Sequence, residues 1–172
     1  MNDSLLKDEG SQFFLYLCIV KFLTMEYSKT FVPIWADMDP NRHMRHTAYN
    51  DYAAQVRVAF LQDYGYDIEK LDKLRLGPIL FREETVFLRE IRLGGTIKVD
   101  LRVSGLSKEG RRWNMVHRIY NQYDKLSAII KVEGAWIDMD KRKLIVPPKD
   151  LFEKFKELPR TEDYAEIVKM KN

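Results

Sequence analysis

At 172 residues, 45% of them apolar, the chain is long enough for one domain with a substantial core. Its 29 basic and 26 acidic residues leave a formal charge of only +3, and no Lys/Arg block interrupts the sequence, which argues against a dedicated nucleic-acid binder. The single cysteine, Cys18, excludes an internal disulfide framework and a Cys-based zinc cluster, and a reducing, cytoplasmic setting is the expectation.

In chain order, FFLYLCIV (13–20) is apolar, but Lys21 ends the run far short of a membrane span. The acidic residues before it and the lack of a small-residue cleavage site make it a poor signal peptide, so no membrane insertion is expected. Residues 1–24 read as an N-terminal extension, 25–160 as the domain and 161–172 as a tail. YSKTFVPI (27–34) predicts a first strand, kept short or at an edge by Pro33. Next, Tyr49, Tyr52, Ala53, Val56, Phe60 and Leu61 recur at three- and four-residue steps, predicting a helix over 47–64 with Thr47 as cap and Gly65 as stop. After a turn at Gly77-Pro78 the period changes to two. FREETVFLREI (81–91) and GTIKVDLRVSGL (95–106) are strands, the latter with Ile97, Val99, Leu101 and Val103 on one face and Lys98, Asp100, Arg102 and Ser104 on the other. Residues 111–123 and 127–140 supply two more strands, and a short amphipathic helix forms around Leu151, Phe152 and Phe155. One long helix followed by antiparallel strands is an α+β pattern, and the simplest architecture wraps the sheet around that helix.

The segment ADMDPNRHMRHTAYNDYAAQ (36–55) concentrates the titratable groups: Asp37, Asp39 and two of the three histidines stand just before the helix. Asp39 reads either as an Asx turn residue or as a carboxylate acting as nucleophile or general base. His46 falls at the helix N-terminus, where unpaired N–H groups and the dipole favour a developing oxyanion; it reads either as that polarising group or as a packing histidine. His43-x-x-His46 lies in a turn rather than at helical i, i+4 spacing, and His117 stands alone mid-strand as a half-buried sheet residue, so no metal or other cofactor is expected. Gly77 reads as a plain turn glycine or as a place where backbone approaches a ligand closely. Several arginines, among them Arg82, Arg89 and Arg92, are weak candidates for phosphate contacts.

WADMDPNRHMRHTAYNDYAAQ (35–55), Leu76-Gly77-Pro78, the Phe-Leu-Arg-x-Ile-x-x-Gly-Gly run (87–95) and the late Val-Pro-Pro before a helix together resemble hotdog-fold acyl-CoA thioesterases of the 4-hydroxybenzoyl-CoA thioesterase type. The resemblance implies a hotdog fold, hydrolysis of an acyl-CoA thioester without a cofactor, and a homo-oligomer, dimer or tetramer, with its sites at the interface. Asp39 falls on the family's catalytic carboxylate. His46 falls where some members have a catalytic histidine and others a backbone N–H to the thioester carbonyl. Trp35, His43 and Tyr49 are then candidate substrate contacts, and Gly77, Glu83 and Glu84 are expected to face Asp39 from the neighbouring subunit. Two departures stand out: Arg42 replaces the family's usual glycine, and Trp35 stands where some members carry a tyrosine. They keep a second expectation open, a hotdog module that binds an acyl thioester or another apolar ligand without turnover. A hydratase or dehydratase ranks below both, because the glycine and proline signature around the histidine is missing.

Overall fold

The computed structural model describes residues 26–168; the apolar run at 13–20 and the rest of the extension lie outside the described residues. Strand β1 (Tyr27–Phe31) leads through a 3-10 turn (Trp35–Asp37) into helix α1 (His46–Asp63). A short helix α2 (Ile68–Lys73) precedes β2 (Leu76–Phe87), β3 (Ile97–Leu106), β4 (Arg112–Tyr120) and β5 (Leu126–Asp138). A two-residue β6 (Lys143–Leu144) and helix α3 (Lys149–Glu157) follow. The strands form one antiparallel sheet in the order β1-β3-β4-β5-β2, with β6 beside β5, and α1 packs against β1, β3 and β5. This is the α+β hotdog arrangement, a curled sheet around one long helix.

The predicted helical stripe is the core: Tyr49, Tyr52, Ala53, Val56, Phe60 and Leu61 are all buried. The helix ends where Gly65 takes φ +74, with Tyr66 N–H donating to the Leu61 carbonyl at 2.8 Å, a Schellman-type close. At the other end the cap is Arg45 rather than Thr47. Arg45 N–H donates to the Asp37 carbonyl at 2.7 Å, so the preceding turn sets the helix start. The helical N–H groups of His46 and Thr47 have no acceptor one turn earlier.

Three local expectations change. Gly77 and Pro78 lie inside β2, paired with Ile137 and Trp136, rather than in a turn. Proline is tolerated there because β2 is the last strand of the sheet. Asp100, assigned to the polar face of β3, is fully buried: its carboxylate accepts Arg118 N–H at 2.7 Å and Arg102 Nε–H at 2.9 Å in place of solvent. Residues 160–167 do not stand apart from the domain. They run along β3 beyond the end of β1, with Thr161, Ala165 and Ile167 N–H groups donating to the carbonyls of Val103, Ser104 and Leu106. No helix among the described residues is long and apolar enough to cross a membrane.

Candidate active site

The turn after the 3-10 segment is built on Asp39. Its Oδ1 accepts the N–H groups of Asn41 at 2.8 Å and His43 at 3.1 Å, while its own N–H donates to the His43 carbonyl at 2.8 Å. Closing so tight a loop requires a left-handed residue, and Arg42 takes it at φ +65. A side chain there costs about 1–2 kcal/mol that glycine would not. Arg42, where the resemblance implies a glycine, therefore holds a backbone shape that favours glycine and adds an exposed cation to the turn.

Asp37, two residues earlier, is a tie rather than a reactive group. Its Oδ2 accepts the Tyr52 hydroxyl at 2.6 Å and Ile34 N–H at 2.8 Å, which fastens the turn to α1. Met44 N–H donates to the Ile91 carbonyl at 2.8 Å, and His43 bridges to Arg92, so the segment following β2 is laced to the same turn.

These connections enclose an open cleft of about 390 Å3. Asp39, His43, His46 and Tyr49, all expected from the sequence, line it together. The opposite wall is Phe87, Leu88, Arg89 and Glu90. Glu90 had no signal in the sequence. Its carboxylate lies 3.0 Å from His43 Nε2 and also pairs with Arg92 at 2.6 Å, contacts that only the folded loop creates. Tyr49 is held by an edge-on contact with Phe87, ring centroids 5.1 Å apart. Burial, and then the charges of Asp39 and Glu90, hold its phenol above the ordinary range, so it is a neutral hydroxyl at physiological pH. Asp39 Oδ2 has no hydrogen-bond partner among the described residues. The cleft thus joins a half-buried carboxylate with one uncommitted oxygen to the N-terminal turn of an eighteen-residue helix.

The other expected contacts are not gathered into this cleft within one chain. Trp35 is 77% exposed on the 3-10 turn and lines none of it. Gly77, Glu83 and Glu84 lie along β2 away from it, Glu84 paired with Arg82 and Glu83 Oε1 3.9 Å from Arg57. Among the described residues no three His, Cys, Asp or Glu side chains are grouped as metal ligands would be.

His117 is fully buried rather than half-buried, between two fixed partners. Its Nδ1 lies 2.9 Å from the Asp100 carbonyl and its Nε2 3.0 Å from Arg57 Nη1. A carbonyl only accepts and a guanidinium only donates, so the ring is neutral with its proton on Nδ1. Burial, then the Arg57 charge, push its pKa down to about 3 from 6.5. Between those values the unfolded chain binds the extra proton, so this group's contribution is complete above pH 6.5 and is lost as pH falls toward 3. Urea unfolding at several pH values should show wild type losing about 1.4 kcal/mol per pH unit more than His117→Gln in that window. Parallel slopes would remove the buried neutral histidine from the account.

Residues 33–155 match the Thioesterase-like superfamily. The chain belongs to that superfamily. No curated protein matches the sequence. Among solved structures it is similar to a Staphylococcus aureus protein determined in complex with CoA, at 18% identity and TM-score 0.72, covering 86% of this chain and 96% of that one. It is also similar to a 1,4-dihydroxy-2-naphthoyl-CoA thioesterase from Synechocystis, at 13% identity and TM-score 0.69, over 76% and 96% of the two chains. A thioesterase from Thermus thermophilus, complexed with coenzyme A and Zn, matches at 19% identity and TM-score 0.62, over 75% and 90%. These likenesses establish the fold. Membership of the superfamily makes this chain a thioesterase-like protein, a thioester hydrolase in its general class.

Proposed function

We propose that the protein hydrolyses an acyl-CoA thioester, with Asp39 as nucleophile or as general base on a water and the helix terminus at His46 polarising the carbonyl. The observation that carries this reading is the convergence of Asp39 and His46 on one open cleft. Attack on the thioester carbon forms a tetrahedral oxyanion, which the N–H groups at the start of α1 stabilise; the C–S bond then breaks and the thiolate leaves. A free thiol has a pKa of about 8.5, so the leaving group needs little acid assistance. In the general-base route Asp39 takes the proton from water; in the nucleophilic route water cleaves a mixed anhydride in a second step. His43, in contact with Glu90, and the neutral hydroxyl of Tyr49 line the path of the substrate.

A dimer belongs to the same proposal. Among the described residues β2 pairs with β5 along one edge only, and Leu80, Phe81, Val86 and Phe87 on it, with Leu88 just beyond, are each 44–52% exposed. A long apolar free edge is a template for a second copy. Two-fold antiparallel pairing of β2 with itself brings the Gly77 end of one strand to the Phe87 end of the other. Gly77, Glu83 and Glu84 then approach Asp39 of the partner subunit, and Trp35 gains a surface to cover.

The competing reading, a binding module without turnover, draws on the Asx turn that Asp39 makes through Oδ1. Crotonyl-CoA separates the reaction classes. Hydrolysis releases a free thiol and leaves the double bond; hydration consumes the double bond and releases none. We expect free thiol together with crotonate whose double bond is intact, and 3-hydroxybutyryl-CoA formed without free thiol would overturn the proposed reaction.

A further inference from the structure

A second cavity, of about 230 Å3, lies under α1, walled by Trp113, Met115, Trp136 and Phe155, with Leu80 of β2 also lining it. One charged residue lines it, Arg57. The Arg57 side chain is only 15% exposed, yet among the described residues its five N–H donors make a single hydrogen bond, from Nη1 to His117 at 3.0 Å. Glu83 Oε1, at 3.9 Å from Nη2, is an ion-pair neighbour beyond hydrogen-bond range. Donors beside so apolar a chamber are costly to leave unpaired, and Arg57 carries them there.

The chamber is below the roughly 300–1,000 Å3 of drug-sized sites, so it suits one small group rather than a whole cofactor. Leu80 and Pro78 flank it on β2, next to Gly77, the end of the strand that the proposed dimer sets against the Asp39 cleft of the partner subunit. We infer that the chamber receives the far end of the acyl group and that this end carries a carboxylate, held by Arg57. A terminal methyl leaves every donor unpaired. A hydroxyl brings a hydrogen of its own to a site that already has an excess of donors. A carboxylate only accepts, at about four lone-pair positions, and supplies the negative charge that Glu83 provides at a distance. The aromatic and thioether walls hold the methylenes between the two ends. The Arg57 guanidinium is disfavoured by burial and favoured by Glu83, which is the balance a second anion would tip back.

This assignment rests on the thioester reading for its substrate, so binding is measured apart from turnover. Succinyl-, adipoyl- and suberoyl-CoA are compared with butyryl-, hexanoyl- and octanoyl-CoA, both as kcat/KM by thiol release and as Kd by calorimetry. At the best length the carboxylate-ended member of the pair should win by about ten- to a hundredfold, the worth of hydrogen bonds to a charged group. In Arg57→Gln that ratio should fall to near one. Arg57→Lys, which keeps the charge and gives up the planar fork of donors, should lower the ratio part of the way and serves if Arg57→Gln does not fold. A preference in Kd that disappears in the variants, with no thiol released by wild type, upholds the chamber and sinks the hydrolase. Equal or better use of the methyl-ended thioesters by wild type, or variants that lower both members of each pair alike, would overturn the inference.

Discussion

Asp39→Asn should lower thiol release from the best acyl-CoA by about 10²–10⁴-fold, the usual worth of a positioned acid–base group, with the fold and the oligomer intact. Asparagine keeps the carbonyl oxygen that Asn41 and His43 N–H groups require, so the turn that opens α1 survives. What it loses is Oδ2, the oxygen without a partner among the described residues, and with it both the nucleophile and the base. Hydrogen bonds to a neutral acceptor are weaker than those to a charged one by about 1 kcal/mol, which lowers the melting temperature by only about 2–8 °C. Kinetics and melting curves measured on the same preparation separate the two contributions. Turnover equal to wild type would mean that Asp39 serves the turn alone.

The second large effect is expected at the free edge of β2. Phe81→Asp with Val86→Asp places like charges on a strand proposed to pair with a copy of itself, where opposed carboxylates repel across the ladder. Sedimentation should show the mass falling from dimer to monomer. Thiol release should fall with it by more than about tenfold, since the Gly77 to Glu84 face supplies half of each proposed site and misplaced groups are costly in rate. The substituted side chains are already 52% and 44% exposed, so the monomer fold should persist, as circular dichroism can check. A wild-type monomer, or an active monomeric variant, would contradict the shared site.

The helix was legible because one face of it meets the sheet: every member of the Tyr49 to Leu61 stripe is buried. Asp39, His43, His46 and Tyr49 were legible for a related reason, since a turn and the first turn of its helix are neighbours in both sequence and space. The residues on the opposite wall were not. Glu90 reaches His43 only because Met44 hydrogen-bonds to Ile91, a pairing across 47 positions of sequence that no period encodes. Asp100 and His117 were placed too near the surface for a comparable reason. Alternation assigns a side chain to a face, but the partners that permit burial, Arg118 N–H for one and Arg57 for the other, come from different elements. Gly77-Pro78 looked like a turn because proline breaks an interior strand; at the end of the sheet it breaks nothing. The position of Arg42 shows the converse. The resemblance pointed to a departure from glycine there, and the backbone takes φ +65 with an arginine all the same, at a cost in strain.

Free-thiol release by the wild-type protein from short, long and aromatic acyl-CoAs is the most direct test of a thioester site built from Asp39 and the α1 terminus. The expected result is catalytic turnover of at least one of them, with free acid and CoA formed in equal amounts. Tight binding of an acyl-CoA with no thiol released from any member of the panel would contradict it, and would make the cleft a ligand pocket.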